Sequence, residues 1–234
     1  MTPKDRLIVA LDLSTPDEAR ALVDRLSGVV GMFKVGSHLF TEAGPPFVRE
    51  LVSRGEKVFL DLKYHDIPNT VASAVSGACQ LGVSLVDVHA LGGRAMMEAA
   101  VGALPALGAR LLAITILTSL DQESLDQVGV AGDLPGSVRR LALLAKEADV
   151  DGVVASPHEV ALIREACGPD FRIVTPGIRP AGGASHDQAR AATPAAALAA
   201  GADYLVVGRP ITQAEDPEAA VAAILREMEA ASPR

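Results

Sequence analysis

The sequence predicts an α/β fold, a single (β/α)8 TIM barrel spanning residues 1–234. Three observations lead there. Short apolar runs rich in β-branched residues alternate with longer Ala- and Leu-rich segments of helical period. The alternation recurs eight times, and 234 residues is close to the ~250 typical of that fold. Length alone also suits two small domains, and a doubly wound sheet is the alternative architecture, because periodicity does not count how strands close.

The strand expectations are Leu7–Leu13, Met32–Gly36, Lys57–Lys63, Leu85–Ala90, Arg110–Leu117, Gly152–Ser156, Arg172–Ile178 and Tyr204–Ile211. Helices between them announce themselves by their caps. "STPDEARALVDRL" opens with a Ser/Thr cap, a Pro and two acids, and "SPHEVALIREACG" starts alike and ends in Gly. "TPAAALAAGA" and "DPEAAVAAILREMEAA" repeat the Xaa-Pro opening. Two long irregular stretches, "TSLDQESLDQVGVAGDLPG" and "RPAGGASHDQARAA", follow the fifth and seventh strands, on the face where barrels carry their sites. The second, with Gly182 and Gly183 as hinges, is a lid candidate.

Composition narrows the function. With 21 Lys and Arg against 29 Asp and Glu the formal charge is −8, so there is no global positive field to recruit nucleic acid. Two Tyr, five Phe and no Trp leave few platforms for base stacking. An anionic ligand needs a local positive site. Cys79 and Cys167 lie in no metal-binding spacing and read as two buried thiols of a reducing compartment in preference to a single disulfide. The N-terminal apolar run is too short for a signal peptide, and no uncharged run has the length of a membrane span, so the expectation is a cytoplasmic protein with no membrane partner.

The chemistry concentrates in "FLDLKYHDIPNT", Phe59 to Thr70. By strand alternation Phe59, Asp61 and Lys63 share one face, while Leu60 and Leu62 face the covering helices. Inward charge is expensive, costing several kcal/mol per ion even after relaxation, so it persists where partners or a ligand compensate. A lone Asp-x-Lys reads equally well as a structural ion pair. However, Asp12 and Lys34 repeat the oddity at the ends of the first two strands, which favours a catalytic mouth. Unlike charges ~4 Å apart attract by about 4 kcal/mol at an effective dielectric near 20, so Lys34, Asp61, Lys63 and Asp66 can remain ionised together. Such an array sets a carboxylate against a substrate carboxylate, with an ammonium placed where charge develops as CO2 leaves.

"TPGIRP" and "VVGRPI", after strands seven and eight, each pair a Gly with an Arg, as in barrel phosphate sites. His65 reads as packing its loop, His89 as a satisfied core group or one that supports the site from behind, Asp87 as an ion pair or cap contact at least as well as a site member, and Met96-Met97 as helix packing.

Taken together, "ALD", "FKVG", "DLKYHDIPNT", "VHALGG", "LTS", "TPGIRP", Asp187-Gln188 and "VVGRPI" resemble the orotidine 5′-phosphate decarboxylases over nearly the whole chain. The resemblance implies decarboxylation of orotidine 5′-monophosphate to UMP, with no metal or organic cofactor. It makes Lys63 the proton donor to C6, sets Asp61 beside the departing carboxylate, and has Lys34 complete the charge network and reach the ribose. Asp12 would bind a ribose hydroxyl and Thr118 the pyrimidine, while Arg179, Gln188, Gly208 and Arg209 would hold the phosphate. Asp66 and Thr70 would act across a homodimer interface. The segment Asp121–Gly136 is the least recognisable. The rivals are a Mg2+-dependent sugar-phosphate decarboxylase or synthase of the same superfamily, and a non-catalytic phosphoribosyl-ligand binder.

Overall fold

The computed structural model describes residues 1–180 and 192–231. A short helix α1 (Pro3–Arg6) precedes β1 (Leu7–Ala10), α2 (Pro16–Leu26), β2 (Met32–Gly36), α3 (Ser37–Ser53), β3 (Val58–Tyr64), α4 (Pro68–Gln80), β4 (Leu85–His89) and α5 (Arg94–Gly102). Then come β5 (Arg110–Ile114), α6 (Gln122–Gln127), α7 (Leu134–Glu147), β6 (Gly152–Val154), α8 (Val160–Cys167), β7 (Arg172–Thr175), α9 (Pro194–Ala199), β8 (Tyr204–Val207), α10 (Arg209–Thr212) and α11 (Pro217–Ala231). Each strand pairs in parallel with the next, and β8 returns to β1, so the sheet closes into a single (β/α)8 barrel. The doubly wound alternative falls with that closure.

Local chemistry sets the helix starts. Thr15 accepts from Glu18 N at 3.2 Å while the Glu18 carboxylate takes Thr15 N at 3.1 Å, a reciprocal cap that fixes where α2 begins. Asp133 caps α7 by accepting from Gly136 N and Thr193 caps α9 by accepting from Ala196 N, each in one direction only. Gly168, at φ 84°, ends α8 in a conformation that L side chains resist.

Strand alternation sorts the core into two layers. Leu7, Val9, Phe33, Val35, Val58, Leu60, Val86 and Val88 point outward and pack under the helices. Ile8, Ala10, Met32, Phe59, Leu85, Leu112, Val174 and Val206 point inward and fill the barrel. At the end opposite the strand C-termini, Arg6 donates to the Asp203 carbonyl at 2.9 Å and Arg164 to the Phe171 and Gly201 carbonyls at 2.7 Å. These arginines tie the barrel floor together.

Three expectations need correction. Most strands stop earlier than their apolar runs, β1 at Ala10 and not Leu13, β8 at Val207 and not Ile211, because the C-terminal residues of each run leave the ladder to build the mouth. The stretch after β5 is not wholly irregular: Asp121 caps α6 by accepting from Ser124 N at 2.9 Å, and Gln122 ties it to Leu134 N at 2.8 Å. Cys167 is buried, but Cys79 is only partly so, and neither is in a disulfide.

Gly152 opens β6 so close to β7 that an added Cβ would run into the Arg172 carbonyl, whereas a Cβ at Gly77 in α4 meets open space. Gly152→Ala is therefore expected to lower unfolding free energy by about 1–3 kcal/mol. Gly77→Ala should raise it by about 0.5–1 kcal/mol. Paired urea titrations check both, and equal shifts would contradict the steric account.

Candidate active site

Going up the inside of the barrel, the inward residues of the first four strands change character. Ile8 and Ala10 give way to Asp12, Met32 to Lys34, Phe59 to Asp61 and Leu85 to Asp87. Apolar layers thus form a floor, and the next inward position, two residues past the end of β1 and within β2, β3 and β4, is ionisable. Lys34 Nζ lies 3.1 Å from Asp12 Oδ1 and 3.0 Å from Asp61 Oδ2, and Lys63 Nζ contacts Asp61 Oδ1. The result is a continuous alternating chain, Asp12, Lys34, Asp61, Lys63. Gly36 leaves room for it, because a Cβ there would stand 3.1 Å from Lys34 Nζ.

Burial and charge oppose each other in this chain. Lys34 and Asp61 are 8% and 9% exposed. Burial alone would depress the Lys34 ammonium, but Asp61 and Asp12 outweigh it and hold its pKa above the ordinary lysine value. Burial alone would raise Asp61, yet Lys34, a hydrogen bond with Asp87 and Lys63 hold it well below the usual carboxylate range. Both groups are therefore ionised at neutral pH.

Lys63 arrives on this face by a route that alternation does not foresee. Leu60 pairs with Val86 and Tyr64 with Val88, so β3 bulges by two residues against β4. Within the bulge Lys63 has φ 52°, a left-handed conformation that is unfavourable for a side-chain-bearing residue. Its N–H donates to Asp87 Oδ1 at 2.8 Å. Leu60 and Leu62 face the helices, as alternation requires.

The chain lines a cavity of about 310 Å³. Asp12, Lys34, Asp61, Lys63, Thr118, Arg179, Gly208 and Arg209 all border it, so eight of the residues singled out from the sequence meet in one place. Arg179 is 9% exposed and donates to the Ile178 carbonyl at 2.8 Å; its N–H reaches the Ala192 carbonyl at 2.9 Å. Gln188 and the lid candidate with Gly182 and Gly183 lie outside the described residues.

Asp66 and Thr70 do not join the cavity. Asp66 is exposed after β3, accepting from Ile67 N at 2.6 Å, and Thr70 is exposed in the first turn of α4. The expected four-member cluster is thus three of its members plus Asp12. The ring of the exposed His65 lies 5.4 Å from that of His89 in a tilted arrangement, and His89 Nδ1 is buried with no hydrogen-bond partner among the described residues, so His89 is not the satisfied core group expected of it. Asp87, which the sequence left between roles, is fully buried beside Asp61 and Lys63; its place on the inward column of β4 was the available signal. Among the described residues no three His, Cys, Asp or Glu side chains gather as metal ligands, and no helix is long and apolar enough to cross a membrane.

A closed (β/α)8 barrel with an ionised Lys/Asp chain at its C-terminal mouth and two arginines on the same cavity defines a barrel enzyme. Comparison makes the class specific: the chain belongs to the orotidine 5′-phosphate decarboxylase / HUMPS family, whose model matches residues 5–224. It is 54% identical over 237 residues to the orotidine 5′-phosphate decarboxylase of Moorella thermoacetica, covering 98% of this chain and 94% of that protein. To the Halorhodospira halophila orotidine 5′-phosphate decarboxylase it is 56% identical over 228 residues, 97% of each. The solved structure of the Lactobacillus acidophilus orotidine 5′-phosphate decarboxylase aligns with a TM-score of 0.84 at 40% identity, over 95% of this chain and 98% of that one.

The ionised pair makes a stability prediction. Asp61 titrates below its ordinary value of 3.8, so its contribution is complete above that pH and is lost as pH falls through the lower folded value. Asp61→Asn strands Lys34 with Asp12 alone and is expected to cost about 3 kcal/mol at pH 7, the low end for breaking a buried pair. Thermal melts of both proteins should show the gap constant from pH 7 to 5 and narrowing below 3.8. A gap that widens on acidification contradicts the assigned charge state.

Proposed function

We propose that residues 1–234 form one barrel domain that converts orotidine 5′-monophosphate to UMP and CO2 without metal or organic cofactor. The observation that carries the reading is the alternating chain Asp12, Lys34, Asp61, Lys63 on the same cavity as Arg179 and Arg209. The arginines, with Gly208 and Gln188, take the substrate phosphate; a guanidinium fork suits that dianion better than a single ammonium. Asp12 and Lys34 take the ribose, and Thr118 the pyrimidine.

The reacting carboxylate then lies beside Asp61. Asp61 cannot escape the crowding by taking a proton, because Lys34, Asp87 and Lys63 hold its pKa so low. Phosphate and ribose binding offset the crowding, which is relieved as CO2 leaves. The C6–carboxylate bond breaks and its electron pair stays on C6. The Lys63 ammonium faces that developing charge and then transfers a proton to C6, becoming an amine that solvent reprotonates.

Asp66 and Thr70 act in a second copy's cavity, making the active unit a homodimer. Their exposure supports this, as does Ile67 between them, an isoleucine 67% exposed. The two cysteines, free of disulfides, accord with a cytoplasmic enzyme.

Ultraviolet absorbance in excess EDTA should follow orotidine 5′-monophosphate to UMP. Mg2+-dependent turnover of a sugar phosphate instead would transfer the site to the metal-using rival, and substrate binding without turnover would make it a binder. Lys63→Ala should retain UMP binding and lose at least about 10³-fold in kcat. A near-wild-type rate would remove Lys63 from the chemistry. Mixing Asp66→Asn with Lys63→Ala should restore activity, since one cavity of a mixed dimer is intact; demonstrated subunit exchange without recovery would refute the shared site.

A further inference from the structure

We infer that Asp87 is a positioning residue for the proposed reaction: a neutral carboxylic acid whose Oδ1 accepts the Lys63 N–H and whose Oδ2–H donates to the Asp61 carboxylate. The inference rests on the reading of Lys63 and Asp61 above, and assigns a role to a residue that the resemblance leaves without one.

Four observations carry it. The Asp87 side chain is fully buried, 0% exposed. Its Oδ1 is not engaged with an ammonium but with the backbone N–H of Lys63 at 2.8 Å, within the bulge. Its Oδ2 finds no N–H or O–H among the described residues, and the group it meets is the Asp61 carboxylate. Lys63 meanwhile has the left-handed φ of 52°. Asp87 is thus neither an ion pair nor a helix cap.

Two ionised carboxylates do not share a buried site without a cation between them; one takes a proton and donates it to the other. Lys34 and Lys63 both pair with Asp61, so Asp61 keeps the charge and Asp87 the proton. Burial first, and the charge of Asp61 second, push the Asp87 carboxyl well above its ordinary value, in the same direction.

The arrangement does two things at once. The N–H bond holds Lys63 in its left-handed turn, so that its side chain folds back over Asp61. The carboxyl proton adds a third donor to Asp61, after the two ammonium groups, and fixes its rotation. Asp87 never touches substrate; it sets how far the proton donor stands from the carboxylate that faces the leaving group.

The test uses two variants and a spectroscopic signature. Asp87→Ala removes both bonds and is expected to lower kcat by about 10²-fold, the scale of a misplaced catalytic group, with KM little changed because Arg179 and Arg209 lie after other strands. Asp87→Asn keeps an acceptor for Lys63 N–H and a donor for Asp61, and should recover most of what Asp87→Ala loses. The infrared difference spectrum between wild type and Asp87→Asn at pH 7 should contain the carbonyl band of a protonated carboxylic acid. Equal losses in the two variants, a wild-type kcat in Asp87→Ala, or the absence of the acid band would each overturn the inference. If Asp87→Ala fails to fold, the Asn variant and the infrared band decide. Failure of the wild type to decarboxylate orotidine 5′-monophosphate would count against the proposed reaction, while the band still tests the Asp87 proton.

Discussion

Everything at the mouth of this barrel depends on the Lys34–Asp61 ion pair. At an effective dielectric near 20 the two charges attract by about 4 kcal/mol at ~4 Å, against a desolvation cost of several kcal/mol for each. The pair alone is close to balance. Asp12 on one side and Lys63 on the other tip it toward full ionisation, so the buried pair keeps charges that burial alone would oppose. That interdependence makes the site rigid in charge as well as in shape. A ligand entering the cavity meets a field that is already set, which is how an electrostatic site acts without reorganising during the reaction.

The barrel makes such a site affordable by stacking it on an apolar floor. The inward columns of the first four strands change from hydrocarbon to ionisable group, so Phe59, Met32 and Leu85 exclude water from below while the charges line the opening. The opposite end is held by Arg6 and Arg164 reaching backbone carbonyls. Arginines therefore serve two purposes at two ends: structural ties below, cavity lining above. Their position along a βα unit, and not their type, tells them apart.

Much of this was legible in the sequence because the relevant rules are local. The caps at Thr15 and Thr193 fix helix starts, and period-two alternation in "VFLDLK" correctly puts Asp61 inside and Leu60 outside. Lys34, Asp12, Arg179 and Arg209 stand out in the sequence as charges at strand ends and do converge. What was not legible depends on pairing between strands. The bulge that delivers Lys63 comes from a register shift against β4, and no property of β3 alone reveals it. Asp87 lacked a role for the same reason: its partners are a backbone N–H and a carboxylate on the neighbouring strand. The α6 helix was hidden by its shortness, since six residues carry too little period to stand out from a loop.

The left-handed turn at Lys63 has a consequence for how this chain responds to selection. Holding a side-chain-bearing residue there costs on the order of 1–3 kcal/mol, and glycine would adopt the same backbone freely. A population chosen only for heat resistance would shed that backbone cost with glycine at position 63, but would lose with it the ammonium that pairs with Asp61 and that the proposed reaction uses as its proton donor. Robustness and activity pull this single position in opposite directions, so an intact lysine there records what the chain was selected to do.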